Sequence, residues 1–138
     1  MRNYDVILFD LDGTLTDSAP GILNSVRYAC RKLGLEMPSE ATLRKFLGPP
    51  LIDSFRTLAG LSNAESDHAV SAFREYFPTK GIFENEVYDG VPALLTDLKA
   101  AGKTVIIATS KPEDFAKRIM AHFDLAQYCD CLLYTSDA

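Results

Sequence analysis

The feature that most constrains this chain is a short apolar run that ends directly in a polar loop. Val6 to Phe9 reads VILF, and Asp10-Leu11-Asp12-Gly13-Thr14 follows it at once. A wholly apolar, partly β-branched run of this length predicts a strand buried on both faces, as in a parallel sheet. A second run, Thr104 to Ala108, has the same character and precedes Thr109-Ser110-Lys111. Two such strands, each followed by a polar loop, predict an α/β sheet.

Helical patterns fill the interval between these strands. From about residue 17 to 85 apolar residues recur at helical spacing and no stretch predicts a strand. Four helices are predicted there: 21–33, a short one around 43–47, 51–58, and one that begins at Ser62 or Asn63 and ends near residue 77. Further helices open at Pro92 and Pro112, and a last strand is expected around 131–134. This order predicts a doubly wound parallel-sheet core (1–16 and 86–138) that is interrupted by an inserted helical domain (17–85).

Composition narrows the range of partners. The 138 residues carry a net charge of −5, which argues against a surface for nucleic acid or anionic membranes. The apolar run near the start is too short for a signal peptide or a membrane span. Cys30, Cys129 and Cys131 are scattered, which favours free thiols in a reducing compartment. We therefore expect a cytoplasmic protein with a small-molecule partner, and the sequence makes no prediction about oligomeric state.

The two polar loops carry the chemistry. Ligands of doubly wound sheets bind at the carboxyl ends of the strands, so both loops are expected at one edge of the sheet. Asp10 can attack phosphorus and form an aspartyl phosphate. Asp12 can protonate the leaving alkoxide and then activate the water that hydrolyses the intermediate. Because a carboxylate and a phosphate repel each other, a hard cation such as Mg²⁺ is expected between them.

The remaining polar residues of these loops suit a phosphate. Gly13 and Thr14 form a tight bend that can point backbone amides at phosphate oxygens. Thr109 and Ser110 can donate hydrogen bonds, and Lys111 can offset negative charge. The alternative is a plain Asx turn after a strand, which an isolated Asp-x-Asp-Gly usually is. The buried strand in front and the second loop with a similar setting favour the phosphate site.

These residues resemble a known family. The segment ILFDLDGTLTDS is similar to the first signature of the haloacid dehalogenase-like superfamily, and the segment TSKP is similar to the second. The helical insertion resembles the cap domain of its phosphoglycolate phosphatase-like branch. The segments FLGPPL and EYFPTKGIFENEVYDG resemble members described as phosphoglycolate phosphatases or 5′-nucleotidases. The resemblance runs from about Tyr4 to Asp130.

The resemblance implies roles for individual residues. It makes Asp10 the nucleophile and a Mg²⁺ ligand, and Asp12 the general acid/base, whose backbone carbonyl also reaches the metal. Thr109 is implied to bind the transferring phosphoryl group, with Ser110 beside it. The cap is implied to close over the site and to select the leaving group.

Several alternatives stay open at this point. The second aspartate, Asp12, favours phosphoryl transfer over dehalogenation, but a phosphomutase of the same superfamily would keep both aspartates. A non-catalytic phosphate- or metal-binding module is a further hypothesis. Arg44, Lys45 and Gly48 can form a loop that meets the substrate, or they can be a surface basic pair followed by a helix stop.

The chain also departs from the family pattern. The resemblance implies a distant lysine and a pair of acidic metal ligands after the second signature, and the sequence ends about thirty residues after Thr109. Lys111 covers the first role only in part, and Asp130 and Asp137 are poor candidates for the second. The tail from about Leu132 lacks the expected glycine-containing turn and is predicted not to be native. We therefore expect an incomplete core, marginally stable and prone to aggregation, with little turnover.

Overall fold

A computed structural model describes residues 3–134 of this protein. The helices are α1 (Ala19–Lys32), α2 (Glu40–Arg44), α3 (Leu51–Leu58), α4 (Asn63–Tyr76), α5 (Val91–Ala100) and α6 (Glu113–His122). The strands are β1 (Val6–Phe9), β2 (Thr16–Asp17), β3 (Glu86–Val87), β4 (Thr104–Thr109) and β5 (Cys131–Tyr134). The chain forms two compact units, Met1–Asp17 with Glu86–Ala138 and Ser18–Asn85. We call them the sheet unit and the helical unit.

The sheet unit is built on a parallel three-stranded sheet in the order β1-β4-β5. Phe9 pairs with Ile107, and Ile107 pairs with Leu132, so the three strands end near one another at one edge. Helix α5 precedes β4, and α6 connects β4 to β5. The predicted parallel α/β architecture is therefore confirmed, including the strand around 131–134.

The burial of β1 corrects one prediction. Val6 is 47% exposed and Leu8 is 57% exposed, so this strand is not buried on both faces. Ile7 and Phe9, on the other face, are half-buried. An apolar run indicates two buried faces only where both faces are covered, and within residues 3–134 one face of β1 lacks a cover. An apolar patch remains exposed.

A two-stranded ribbon was absent from the sequence prediction. Thr16 pairs with Val87 and Asp17 pairs with Glu86, antiparallel, where the chain leaves the sheet unit and returns to it. Tyr88 continues this contact, since its amide donates to the Leu15 carbonyl at 3.1 Å. Asp17 therefore lies in a strand, and the boundary between the units falls one residue later than predicted.

The helical unit contains α1 to α4 and has its own core. The buried members of that core are Leu23, Val26, Ala29, Cys30, Leu43, Phe46, Phe55, Ala69 and Ala72. The start of α1 approaches the turn at 81–83 so closely that a Cβ on Gly21 would lie 1.9 Å from the Gly81 carbonyl oxygen. Two glycines thus permit a backbone-to-backbone contact. That this unit acts as a cap stays a prediction.

The end of the described chain fits the sheet. Asp130 lies just before β5, and its carboxylate accepts from the Val105 amide at 2.8 Å and from Lys99 Nζ at 2.6 Å. These bonds lower the pKa of Asp130, chiefly through Lys99, and they join Asp130 to the start of β4 and to α5. Asp137 and the rest of 135–138 lie outside the described residues. None of the helices described in residues 3–134 is long and apolar enough to span a membrane.

Candidate active site

The first loop is held in shape by Leu11. The Leu11 side chain is fully buried, and its carbonyl accepts from the amides of Leu15 and Thr16 at 3.0 and 3.1 Å. Leu15 and Thr16 are also buried, so the loop is anchored on both sides. Gly13 has φ of +78°, which glycine adopts without strain. Asp10 and Asp12 thus lie on either side of an anchored residue, Leu11. A loop anchored in this way can present both carboxylates without a change of backbone conformation.

Asp10 stands at the carboxyl end of β1 and is exposed. Its Oδ1 accepts a hydrogen bond from the Leu11 amide at 2.7 Å, which orients the carboxylate. Thr14, farther along the loop, is also exposed. The predicted nucleophile is therefore accessible and oriented by the backbone that follows it.

The second loop is fixed by Thr109. This residue ends β4, is 8% exposed, and accepts a hydrogen bond on Oγ1 from the Lys111 amide at 3.0 Å. That bond turns the chain immediately after the strand, and Pro112 then precedes α6. Ser110, between them, is exposed.

The two loops meet, as the sequence predicts. Asp10, Thr109 and Ser110 line one cavity of about 510 Å³ at the carboxyl ends of the strands. The same cavity is bordered by Ala108, Leu133 and Tyr134. It is large enough for a small phosphorylated metabolite. The structure thus brings a carboxylate and two hydroxyls to one opening.

Lys111 reaches across to the first loop. Its Nζ lies 3.1 Å from Asp12 Oδ2, and the Lys111 side chain is only 13% exposed, whereas that of Asp12 is 35% exposed. The other carboxylate oxygen, Asp12 Oδ1, is buried and has no hydrogen-bond partner within residues 3–134. The sequence predicted neighbouring loops but not this ion pair.

The oxygen atoms of the first loop suit a hard cation in part. Asp10 and Asp12 supply carboxylate oxygens, and the orphaned Asp12 Oδ1 is an atom that a cation or a proton would satisfy. The described residues 3–134 contain no group of three or more acidic, histidine or cysteine side chains that could hold a metal. The residues present therefore fit part of a Mg²⁺ site.

The predicted cap residues lie in the helical unit. Arg44 and Lys45 are exposed at the end of α2, and Arg44 Nε lies 4.0 Å from Glu40 Oε1. Gly48 is exposed with φ of +110°. A role in substrate selection stays a prediction for all three.

One polar residue of the cavity, Tyr134, was not predicted from the sequence. Tyr134 borders the cavity, and its hydroxyl hydrogen-bonds to the Glu113 carboxylate, which raises the pKa of Tyr134. The signal available was its place at the end of β5, beside Thr109 in the register. Because Tyr134 belongs to the tail predicted not to be native, we assign it no role.

Comparison with known proteins decides the family. Residues 7–138 match the family model described as haloacid dehalogenase-like hydrolase. This chain belongs to that family. The resemblance given by the two signatures is thereby confirmed.

Three relatives show which proteins this chain is similar to. The chain is 48% identical over 120 residues to a 5′-nucleotidase of Pseudomonas aeruginosa, covering 87% of this chain and 54% of that protein. It is 38% identical over 127 residues to the tyrosine-protein kinase PtkA of Mycobacterium tuberculosis, covering 92% of this chain and 43% of that protein. A phosphoglycolate phosphatase of Aquifex aeolicus is 29% identical over 128 residues, with 93% and 59% covered. The chain thus spans about half the length of these relatives.

A solved structure has the same fold. A candidate phosphatase from Clostridium difficile superposes with a TM-score of 0.91 and 39% identity, covering 98% of this chain and 62% of that one. The parallel-sheet architecture of the haloacid dehalogenase-like family therefore describes this chain.

Proposed function

We propose that this chain carries the nucleophile of a phosphatase that hydrolyses a small phosphate monoester. The observation that supports it most is the shared cavity of Asp10 and Thr109, with Asp12 two residues from the nucleophile. The names of two relatives, the 5′-nucleotidase and the phosphoglycolate phosphatase, favour a nucleoside 5′-monophosphate or phosphoglycolate as the substrate class.

The first half-reaction uses both aspartates. A carboxylate oxygen of Asp10 attacks phosphorus and forms an O–P bond, while the bond from phosphorus to the ester oxygen breaks. The electron pair of the broken bond stays on the ester oxygen, which takes a proton from Asp12. The products are an alcohol and an aspartyl phosphate on Asp10.

The second half-reaction restores the protein. Asp12 accepts a proton from water as the water oxygen attacks phosphorus, and the bond from phosphorus to Asp10 breaks. Inorganic phosphate leaves and Asp10 is a carboxylate again. Thr109 and Ser110 hydroxyls, with amides of the turn at Gly13 and Thr14, would hold the phosphate oxygens throughout.

Mg²⁺ would be held by Asp10 and by the backbone carbonyl of Asp12. When bound, it would neutralise the repulsion between the carboxylate and the phosphate. The helical unit, with Arg44, Lys45 and Gly48, would select the leaving group. We place the protein in the cytoplasm.

One observation favours a second candidate. A phosphate- or metal-binding module without turnover is the alternative, because the cavity lined by Asp10, Thr109 and Ser110 could hold phosphate without transferring it. A phosphomutase would use the same two aspartates and differs only in returning the phosphoryl group to a sugar.

Phosphate release tests the proposal. With Mg²⁺ and either phosphoglycolate or a nucleoside 5′-monophosphate, we expect slow release of inorganic phosphate that stops on chelation. Asp10→Asn should lower the rate by about a hundredfold or more, because the nucleophile is lost. Asp5→Asn is the matched control, since Asp5 precedes the same strand at its opposite end.

The outcomes separate the candidates. Release at the wild-type rate by Asp10→Asn would rule out the proposed mechanism. Binding of phosphate by the wild-type chain, with no release from any ester, would favour the binding module.

A further inference from the structure

Lys111 is the cation of the second loop, and its side chain is largely buried against the first loop. Its ammonium lies 3.1 Å from Asp12 Oδ2, and its side chain is 13% exposed. Burying an ammonium group without a partner costs free energy. The carboxylate of Asp12 offsets that cost only if it is held close to the ammonium. The lysine is therefore directed at the second carboxylate of the first loop.

Backbone hydrogen bonds hold both partners of this ion pair in place. The Lys111 amide donates to Thr109 Oγ1 at 3.0 Å, and Thr109 ends a strand that pairs with β1 in register. Asp12 is fixed from its own side, because the Gly13 amide donates to the Thr16 carbonyl at 2.8 Å. Both partners of the ion pair thus start from rigid backbone.

The two oxygens of Asp12 have different surroundings. Oδ2 receives the lysine, whereas Oδ1 is buried and lacks a hydrogen-bond partner within residues 3–134. The contact with Lys111 therefore fixes which of the two carboxylate oxygens faces the second loop. Rotation of the carboxylate would break the ion pair, so the lysine also selects the rotamer.

We propose that Lys111 is a positioning residue that orients Asp12 for proton transfer, rather than a direct ligand of the substrate phosphate. The inference rests on the proposed function, because Asp12 is taken as the group that protonates the leaving oxygen. On this proposal Lys111 acts in proton transfer by Asp12 and not in binding of the phosphate.

A spectroscopic measurement tests the contact without turnover. In protein labelled with ¹³C at the aspartate carboxyl groups, Asp12→Asn identifies the Asp12 resonance at one fixed pH. Lys111→Met should shift that resonance, Lys111→Arg should restore most of its position, and Lys103→Met should leave it unchanged. Lys103 is the matched control because it precedes β4 at the opposite end. An unchanged chemical shift of the Asp12 carboxyl carbon in Lys111→Met would overturn the inference.

A kinetic measurement tests the role. An alkyl phosphate needs a proton on its leaving oxygen, whereas acetyl phosphate releases acetate, which does not. In single turnovers that follow only the first half-reaction, Lys111→Met should lower the rate of alcohol release from the alkyl ester by about tenfold or more and change the rate of acetate release from acetyl phosphate by less than about twofold, with KM for the alkyl ester unchanged. Lys111→Arg should recover part of the loss.

The two failures are distinguishable. Equal losses with both donors and a raised KM would show that Lys111 binds the phosphate, and would overturn the inference. Absence of Asp10-dependent transfer from either donor in the wild-type chain would contradict the proposed function, while the Asp12 resonance would still decide the contact.

Discussion

At the scale of single residues, the site depends on the buried Leu11, which lies between the two aspartates. Its buried side chain and its carbonyl fix the loop, so Asp10 and Asp12 are presented from one rigid turn. The sequence was sufficient to predict that Asp10 and Thr109 would meet, because both directly follow neighbouring parallel strands. It was not sufficient to predict that Lys111 would bind Asp12, because that contact depends on how far each turn bends after its strand.

Gly21 and Gly81 lead to a prediction at this scale. Gly21→Ala would place a methyl group 1.9 Å from the Gly81 carbonyl oxygen, and backbone cannot yield as a side chain can. We expect the free energy of unfolding, measured by thermal denaturation, to fall by about 3 kcal/mol or more.

Gly60→Ala is the matched control for that substitution. Gly60 has φ of +68° and open space around its Cα, so alanine there should cost only about 1 kcal/mol of backbone strain. Equal losses for both variants would contradict the close-contact explanation.

At the scale of elements, predicted bounds were best where a cap or a glycine marks the end. Helix α3 spans Leu51–Leu58 as predicted, and α4 begins after the cap Ser62. The ribbon of β2 and β3 has two residues in each strand, too few for an alternating pattern to be visible. The exposure of Leu8 was missed because an apolar run does not reveal which faces are covered.

The capping box of α4 leads to a prediction at this scale. Ser62 Oγ accepts from the Glu65 amide at 3.2 Å, and Glu65 Oε1 accepts from the Ser62 amide at 3.0 Å. Ser62→Ala should lower the free energy of unfolding by about 1 kcal/mol in a denaturant titration. Ser71→Ala, at an exposed position of the same helix, should be neutral or slightly stabilising. A loss of equal size in both variants would contradict the capping role.

The same box predicts a dependence on pH. The hydrogen bond from the Ser62 amide holds the pKa of Glu65 below its ordinary value of 4.5. Because the folded pKa is lowered, this stabilisation is present above the unfolded pKa and is lost as the pH falls through the folded pKa. In melting temperatures measured from neutral pH down to acid, Glu65→Gln should lose less stability than the wild type. Parallel pH curves would contradict the assignment.

At the scale of the whole molecule, the fold class was predictable because alternating strands and helices allow few arrangements. The chain spans about half of its relatives, and its sheet exposes Val6 and Leu8. An exposed apolar sheet face promotes association between molecules. Low stability and slow turnover therefore stay our predictions for this chain.

Leu8 provides a direct test of that association. Leu8→Thr should reduce concentration-dependent light scattering while changing stability by less than about 0.5 kcal/mol, because Leu8 is 57% exposed. The same substitution at the buried Leu95 should cost about 2–4 kcal/mol. Scattering that Leu8→Thr leaves unchanged would show that another surface causes the association.

The central claim is that Asp10 receives a phosphoryl group, and trapping of beryllofluoride tests it most directly. In ¹⁹F NMR with Mg²⁺, we expect bound fluoride signals for the wild-type chain and for Asp5→Asn, and none for Asp10→Asn. That pattern would show that the two loops hold a phosphoryl mimic on the Asp10 carboxylate. Bound signals of equal strength in Asp10→Asn, or none in the wild-type chain, would contradict the claim.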